Sequence, residues 1–117
     1  MWKSYRDLEV WKKGIQLVKK VYLLSKKYPQ EEIYGLTSQV RRAAVSIPSN
    51  IAEGQARKSA NDLRRFLNIS RGSVAEVDTQ MVIAEELDFI SQEELDDIYQ
   101  DIVVIFKMLE GLSQSLD

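Results

Sequence analysis

The segment Gln39-Val40-Arg41-Arg42-Ala43-Ala44-Val45-Ser46-Ile47-Pro48-Ser49-Asn50-Ile51-Ala52-Glu53-Gly54 holds the most unusual polar side chains of this 117-residue chain. At 100° per residue, Gln39, Arg42, Ser46, Asn50 and Glu53 share one side of a helix, and Arg57 continues the stripe if the helix does. A compact strip of amides and a hydroxyl, flanked by arginines and a glutamate, suits a ligand or partner groove beside a proline. The same groups equally serve to satisfy the backbone and fix helix or subunit packing. Glu53 and Arg57, four apart, also form a simple helix pair.

A second set is cationic. Arg57, Lys58, Arg64, Arg65 and Arg71 surround one predicted turn, and with Arg41 and Arg42 they could contact phosphates. A solvated basic face is the plainer explanation. No aromatic residue is read as interleaved among these arginines, which counts against base stacking.

The third set is acidic: Glu85, Glu86, Asp88, Glu93, Glu94, Asp96, Asp97 and Asp101. It has neither the Glu-x-x-His pairs of di-iron bundles nor the spacing and glycine of a calcium loop. A solvated face, with favourable charge at a helix N-terminus, accounts for it, so no metal or cofactor is expected. The chain has no histidine and no cysteine. That removes the commonest general base, the commonest metal ligand and any thiolate chemistry. An enzyme would have to work with carboxylates, arginines, lysines and serines, and no nucleophile–base pair, phosphate loop or nucleophile elbow is found. The expectation is a non-enzyme.

Four elements must position these groups. A first helix over residues 7–27 carries Leu8, Trp11, Ile15, Val18 and Tyr22 on one face, widened by Val10, Leu17, Val21 and Leu24. Pro29 ends it. A second, over residues 34–56, has the seam Leu36, Val40, Ala43, Ile47 and Ile51, with a kink expected at Pro48 and its end marked by Gly54. A third opens with Ser59 as N-cap and Asp62 at N3, and runs along a heptad seam of Leu63, Leu67, Ser70, Val74, Val77, Met81 and Ala84. The fourth starts with the capping box Ser91/Glu94, stapled by Ile90 and Leu95. Its seam is Leu95, Ile98, Ile102, Ile105, Leu109, Leu112 and Leu116. Four amphipathic helices with short connections predict an all-α, antiparallel up-down-up-down four-helix bundle, one domain over residues 1–117. Phe66, Ile69, Ile83, Tyr99, Val103 and Phe106 exceed what one seam needs. They either widen the core or are buried in an oligomer.

Net charge is −2, yet residues 1–75 carry 15 Lys/Arg against 6 Asp/Glu, and residues 76–117 carry Lys107 against 12 acids. The split reads either as a basic surface for nucleic acid or as oppositely charged helices facing one another in the bundle. No apolar run approaches the roughly 20 residues of a membrane span, and the first six residues lack a signal peptide's apolar stretch. A cytoplasmic location is the default expectation.

Several motifs resemble one family. They are Tyr5-Arg6-Asp7-Leu8-x-Val10-Trp11, Tyr34-Gly35-Leu36-Thr37-Ser38-Gln39-Val40-Arg41-Arg42-Ala43, Ser46-Ile47-Pro48-Ser49-Asn50-Ile51-Ala52-Glu53-Gly54, Arg65-Phe66-Leu67 and Gly72-Ser73-x-x-Glu76. Together they resemble the four-helix-bundle proteins encoded in intervening sequences of bacterial 23S ribosomal RNA genes, also labelled the S23 ribosomal protein family. The resemblance covers nearly the whole chain. It implies a four-helix bundle assembled as a homo-oligomeric, ring-like pentamer, and it supplies no catalytic residues. A related branch, the accessory proteins of diversity-generating retroelements, resembles a scaffold for a reverse transcriptase and RNA. That branch is strongly basic, whereas this chain has a pI near 5.2. The expectation is a homo-oligomeric binding or scaffold protein with RNA or an RNA-processing protein as partner; a protein-only adaptor is the alternative.

Overall fold

The computed structural model describes residues 4–116; expectations that rest on residues 1–3 or on residue 117 lie outside the described residues. Four α-helices follow one another: α1, Glu9–Ser25; α2, Leu36–Ala56; α3, Ala60–Glu86; α4, Gln92–Gln114. Short 3-10 turns, Tyr5–Asp7 and Gln30–Glu32, precede α1 and α2. Each helix packs on its neighbours in the cyclic order α1–α2–α3–α4–α1. Cross-helix contacts show the directions. Ser25 meets Arg41 and Gly14 meets Pro48; Ile47 meets Ser70 and Gly54 meets Phe66; Lys27 meets Glu94 and Lys20 meets Asp101. In every pair the numbers rise on one helix and fall on the other. The result is the antiparallel four-helix bundle expected, 43 × 25 × 19 Å. None of its helices is long and apolar enough to cross a membrane, among the described residues.

The local signals explain the ends. Ser91 Oγ accepts the Glu94 N–H while Glu94 returns a carboxylate oxygen to the Ser91 N–H, the full capping box. Ser59 caps α3 by accepting the Asp62 N–H, but the Asp62 carboxylate turns to Arg65 instead of completing the box. Asp88, at φ 62°, closes α3 in a Schellman motif, with Phe89 N–H on Ala84 O (2.8 Å) and Asp88 N–H on Glu85 O (2.9 Å). α2 starts at Leu36, two residues later than the pattern suggests, because Glu32 Oε1 takes the Leu36 N–H at 3.1 Å.

All seven α3 seam positions are buried, as are Val40, Ala43, Ile47 and Ile51 of α2 and Ile98, Ile102, Ile105 and Leu109 of α4. α1 differs from its reading. Its buried stripe is Val10, Gly14, Leu17, Val21 and Ser25, whereas Ile15 and Tyr22 are exposed. The helix is turned so that Gly14, where an added Cβ would touch the Pro48 ring at 3.4 Å, faces α2. A second correction concerns Gly54, which is buried inside α2 and does not end it. The helix runs to Ala56, and Lys58, at φ 56°, makes the left-handed turn. α2 is continuous through Pro48, one helix and not two short ones. Of the surplus apolar residues, Phe66 is buried and Phe106 packs on the core, whereas Ile69, Ile83 and Tyr99 are exposed.

Candidate functional site

α2 presents the polar strip, and the bundle divides it. Ser46 and Asn50 join Arg41 and Arg42 in an open groove of about 650 Å³, whose apolar lining is Tyr22 of α1, Ile33 of the α1–α2 connection and Val45. Ser46 Oγ lies 2.9 Å from the Ala43 carbonyl and hydrogen-bonds the Ser73 hydroxyl of α3. Ser73 in turn directs its proton to the Ile69 carbonyl, and Asn50 Nδ2 donates to Ser46 O at 2.7 Å. The middle of the strip therefore joins α2 to α3 and to its own backbone. Gln39 is exposed and does not line the groove. Glu53 and Arg57 pair at 3.1 Å at the far end of the helix.

The cationic set also separates. Arg41 belongs to the groove: its Nε donates to Ser25 Oγ at 2.8 Å and its guanidinium lies 4.6 Å over the Tyr22 ring. Arg42 beside it is exposed and has no ion pair among the described residues. Arg71 turns to α4, with Nη2 3.8 Å from Glu110 and a buried Nε that has no hydrogen-bond partner among the described residues. Arg57, Lys58, Arg64 and Arg65 stay together at the corner where α2 turns into α3. Here the reading without aromatics is corrected. Phe66 lies among the arginines, with the Arg57 guanidinium 4.9 Å and that of Arg65 4.5 Å from its ring centroid. The sequence shows Arg65-Phe66 side by side; what it hides is that Arg57 arrives from the preceding helix. Phe66 is itself buried, so it orients guanidiniums and offers no ring face to a base. Arg65 Nη2 reaches Asp62 at 3.4 Å, and Arg64 donates to Asn61 Oδ1 at 3.2 Å. Asn61, Arg64, Arg65, Asn68 and Ile69 line a shallow groove along α3.

Part of the acidic set is neutralised across the bundle. Lys20 meets Asp97 at 2.8 Å and also Asp101, and Lys27 meets Glu94. The bonds to Asp101, then Asp97, raise Lys20 above the ordinary lysine pKa. The Lys27 bond, then the Ser91 N–H, hold the Glu94 carboxyl below the ordinary range. So the charge split is cancelled across helices along the α1–α4 edge, whereas at the α2–α3 corner Arg57 and Arg65 pair locally, with Glu53 and Asp62. Among the described residues no group of three or more carboxylates is placed to hold a metal ion. The Tyr28 phenol is pushed up to about 12 by burial, against the opposing effect of Arg41. It donates toward Met81 Sδ at 3.8 Å, and a phenol so placed is a packing group and not a proton donor at neutral pH. What the surface can do chemically is bind: guanidiniums held over rings can receive carboxylates or phosphates.

No curated protein matches the chain. A solved structure does: a protein of unknown function from the S23 ribosomal protein family of Bacteroides thetaiotaomicron VPI-5482. It superposes with a TM-score of 0.81 at 23% identity, over 89% of this chain and 97% of that one. The likeness is one of fold. Residues 6–111 match the family model described as 23S rRNA-intervening sequence protein. That match spans α1 to the last turn of α4 and includes both the α2 groove and the α2–α3 corner, so the chain belongs to the 23S rRNA-intervening sequence protein family.

Proposed function

We propose that this chain is a non-enzymatic scaffold that assembles with copies of itself and contacts RNA through the corner between α2 and α3. One observation carries the reading. The carboxylates of α4 that pair across helices meet Lys20, Lys27 and Arg71, whereas Arg57 and Arg65 meet Glu53 and Asp62 of their own helices, and Lys58 has no ion pair among the described residues. Such exposed local pairs are worth about 0.2–1 kcal/mol and exchange readily for a phosphate. Phe66 holds two of the guanidiniums in place, which lowers the entropy lost on binding. The exposed Ile69, Ile83 and Tyr99 support the assembly half.

The test is fluorescence anisotropy with single-stranded and duplex RNA at low and physiological salt. The expected result is salt-sensitive binding that disappears when Arg57, Lys58, Arg64 and Arg65 are changed to Glu. Each phosphate contact removed should lower the slope of log K against log salt by about 0.7–0.9. Absence of binding at low salt would overturn the RNA half, and a monomer at micromolar concentration would remove the assembly half. The rival reading is a protein-only adaptor. The groove between α1 and α2 favours it, because its apolar lining and guanidiniums suit a polypeptide. Affinity capture that recovers a protein and no nucleic acid would decide for the adaptor.

A further inference from the structure

Two patches at one end of the bundle complement each other without meeting inside one molecule. The first is the α1–α2 groove. Tyr22, Ile33 and Val45 form its apolar surface, 39, 47 and 40% exposed. Arg41 and Arg42 border it, and no carboxylate lines it. Arg41 is immobilised through its Nε and the Tyr22 ring, while its Nη groups have no hydrogen-bond partner among the described residues. The second patch is the tip of α3. Val82, Ile83 and Leu87 are exposed there, and Glu85, Glu86 and Asp88 beside them form no ion pair among the described residues. The Schellman closure at Asp88 fixes the shape of this tip. One patch is apolar with unmatched cations; the other is apolar with unmatched anions.

We infer that the α3 tip of one copy seats in the α1–α2 groove of the next, with Ile83 and Leu87 on the apolar surface and Glu86 and Asp88 toward Arg42 and Arg41. The inference deepens the assembly half of the proposed function and rests on it; it is independent of RNA. Because the two patches differ, the contact either repeats head to tail from copy to copy or occurs twice, reciprocally, about a two-fold axis. The contacts of Lys27 with Glu94 and of Tyr28 with Met81 place the groove end of α1 and the α3 tip at the same end of the bundle. Copies standing side by side in the same direction bring patch to patch at one level.

The test is light scattering after size exclusion on the wild-type chain, Arg42→Glu, Glu86→Arg and the double variant, with helicity checked by circular dichroism. Residues 42 and 86 are exposed and outside the core, so all four proteins should fold. The expected result is an oligomeric wild type, single variants that dissociate at protein concentrations at least tenfold higher, and a double variant that reassembles because the charges are exchanged and not removed. An oligomeric wild type whose single variants keep its mass would overturn this interface and leave assembly standing. Single variants that dissociate without rescue in the double variant would overturn the pairing of residues 42 and 86. A monomeric wild type at tens of micromolar would overturn assembly and interface together.

Discussion

Gly54 of α2 lies so close to Phe66 of α3 that a Cβ built on the glycine would stand 2.7 Å from the Phe66 Cβ and 3.3 Å from the Leu63 Cα. Both atoms belong to the backbone or sit directly on it and cannot swing aside, so Gly54→Ala must push the helices apart. Overpacking of this kind costs about 1–3 kcal/mol, against about 1 kcal/mol gained from the better helix former. A net loss of about 1 kcal/mol is expected, read as a melting temperature lower by about 4 °C. Gly72, with nothing within 4 Å of its added Cβ, is the internal control: Gly72→Ala should stabilise by about 0.5–1 kcal/mol. Equal melting temperatures for the two variants would contradict the close approach.

Pro48 sets two effects against each other. Within a helix a proline costs about 3 kcal/mol relative to alanine. Its ring is buried, however, and packs toward Gly14, and removing two methylenes costs about 1.6 kcal/mol at about 0.8 each. Pro48→Ala should therefore leave the protein about 1 kcal/mol more stable in urea unfolding. A loss of stability would show that the ring's fit against α1 outweighs the missing N–H.

Acid should weaken the α1–α4 edge. The Glu94 pKa is lowered in the folded state by Lys27 and the Ser91 N–H. Its contribution is thus present above the ordinary glutamate pKa and lost as pH falls through the lower folded value. Glu94→Gln should flatten the acid limb of a stability–pH profile and leave the neutral value reduced by no more than about 1 kcal/mol, the scale of a cap or exposed pair. An acid limb identical to wild type would remove Glu94 from the account.

At the other extreme Tyr28 is the group to watch. Burial raises its pKa to about 12, above the unfolded value near 10, so its contribution is complete below about pH 10 and is lost as pH rises toward 12. Ultraviolet titration should show one tyrosine ionising last, and Tyr28→Phe should remove both that step and part of the alkaline loss of stability. A variant titrating like wild type would place the late phenol elsewhere.

Ile102, 1% exposed, lies in the most regular seam of the bundle. Ile102→Asp brings a carboxylate into contact with apolar side chains, at a cost of several kcal/mol against a total of about 5–15. Loss of helical circular dichroism at 25 °C is expected, and a soluble, fully helical variant would show that the register of α4 is misplaced.

Local regularities were legible in the residue order. The strict heptad of α3, the α4 seam and the Ser91/Glu94 box depend on neighbours within a turn or two, so the sequence alone determined two helices, their buried faces and the all-α class. α1 was ambiguous because Val10, Trp11, Ile15, Leu17, Val18, Val21, Tyr22 and Leu24 cover most of its circumference. Tertiary packing chose the stripe through Gly14, since only there can Pro48 approach. The candidate site shows the same division. Residue spacing put Gln39, Arg42, Ser46, Asn50 and Glu53 on one side of α2, of which Arg42, Ser46 and Asn50 line one groove, but spacing carries no information about what other helices bring. Tyr22 beneath Arg41, Ser73 against Ser46, Arg57 and Arg65 on one phenyl ring, and Glu110 beside Arg71 are all decided by contacts between distant segments. Charge followed that rule most plainly. The order of residues determined how many charges each helix carries; only their packing decided that α1 and α4 pair across helices while Arg57 and Arg65 pair locally, because Coulomb energy depends on separation in space and not along the chain.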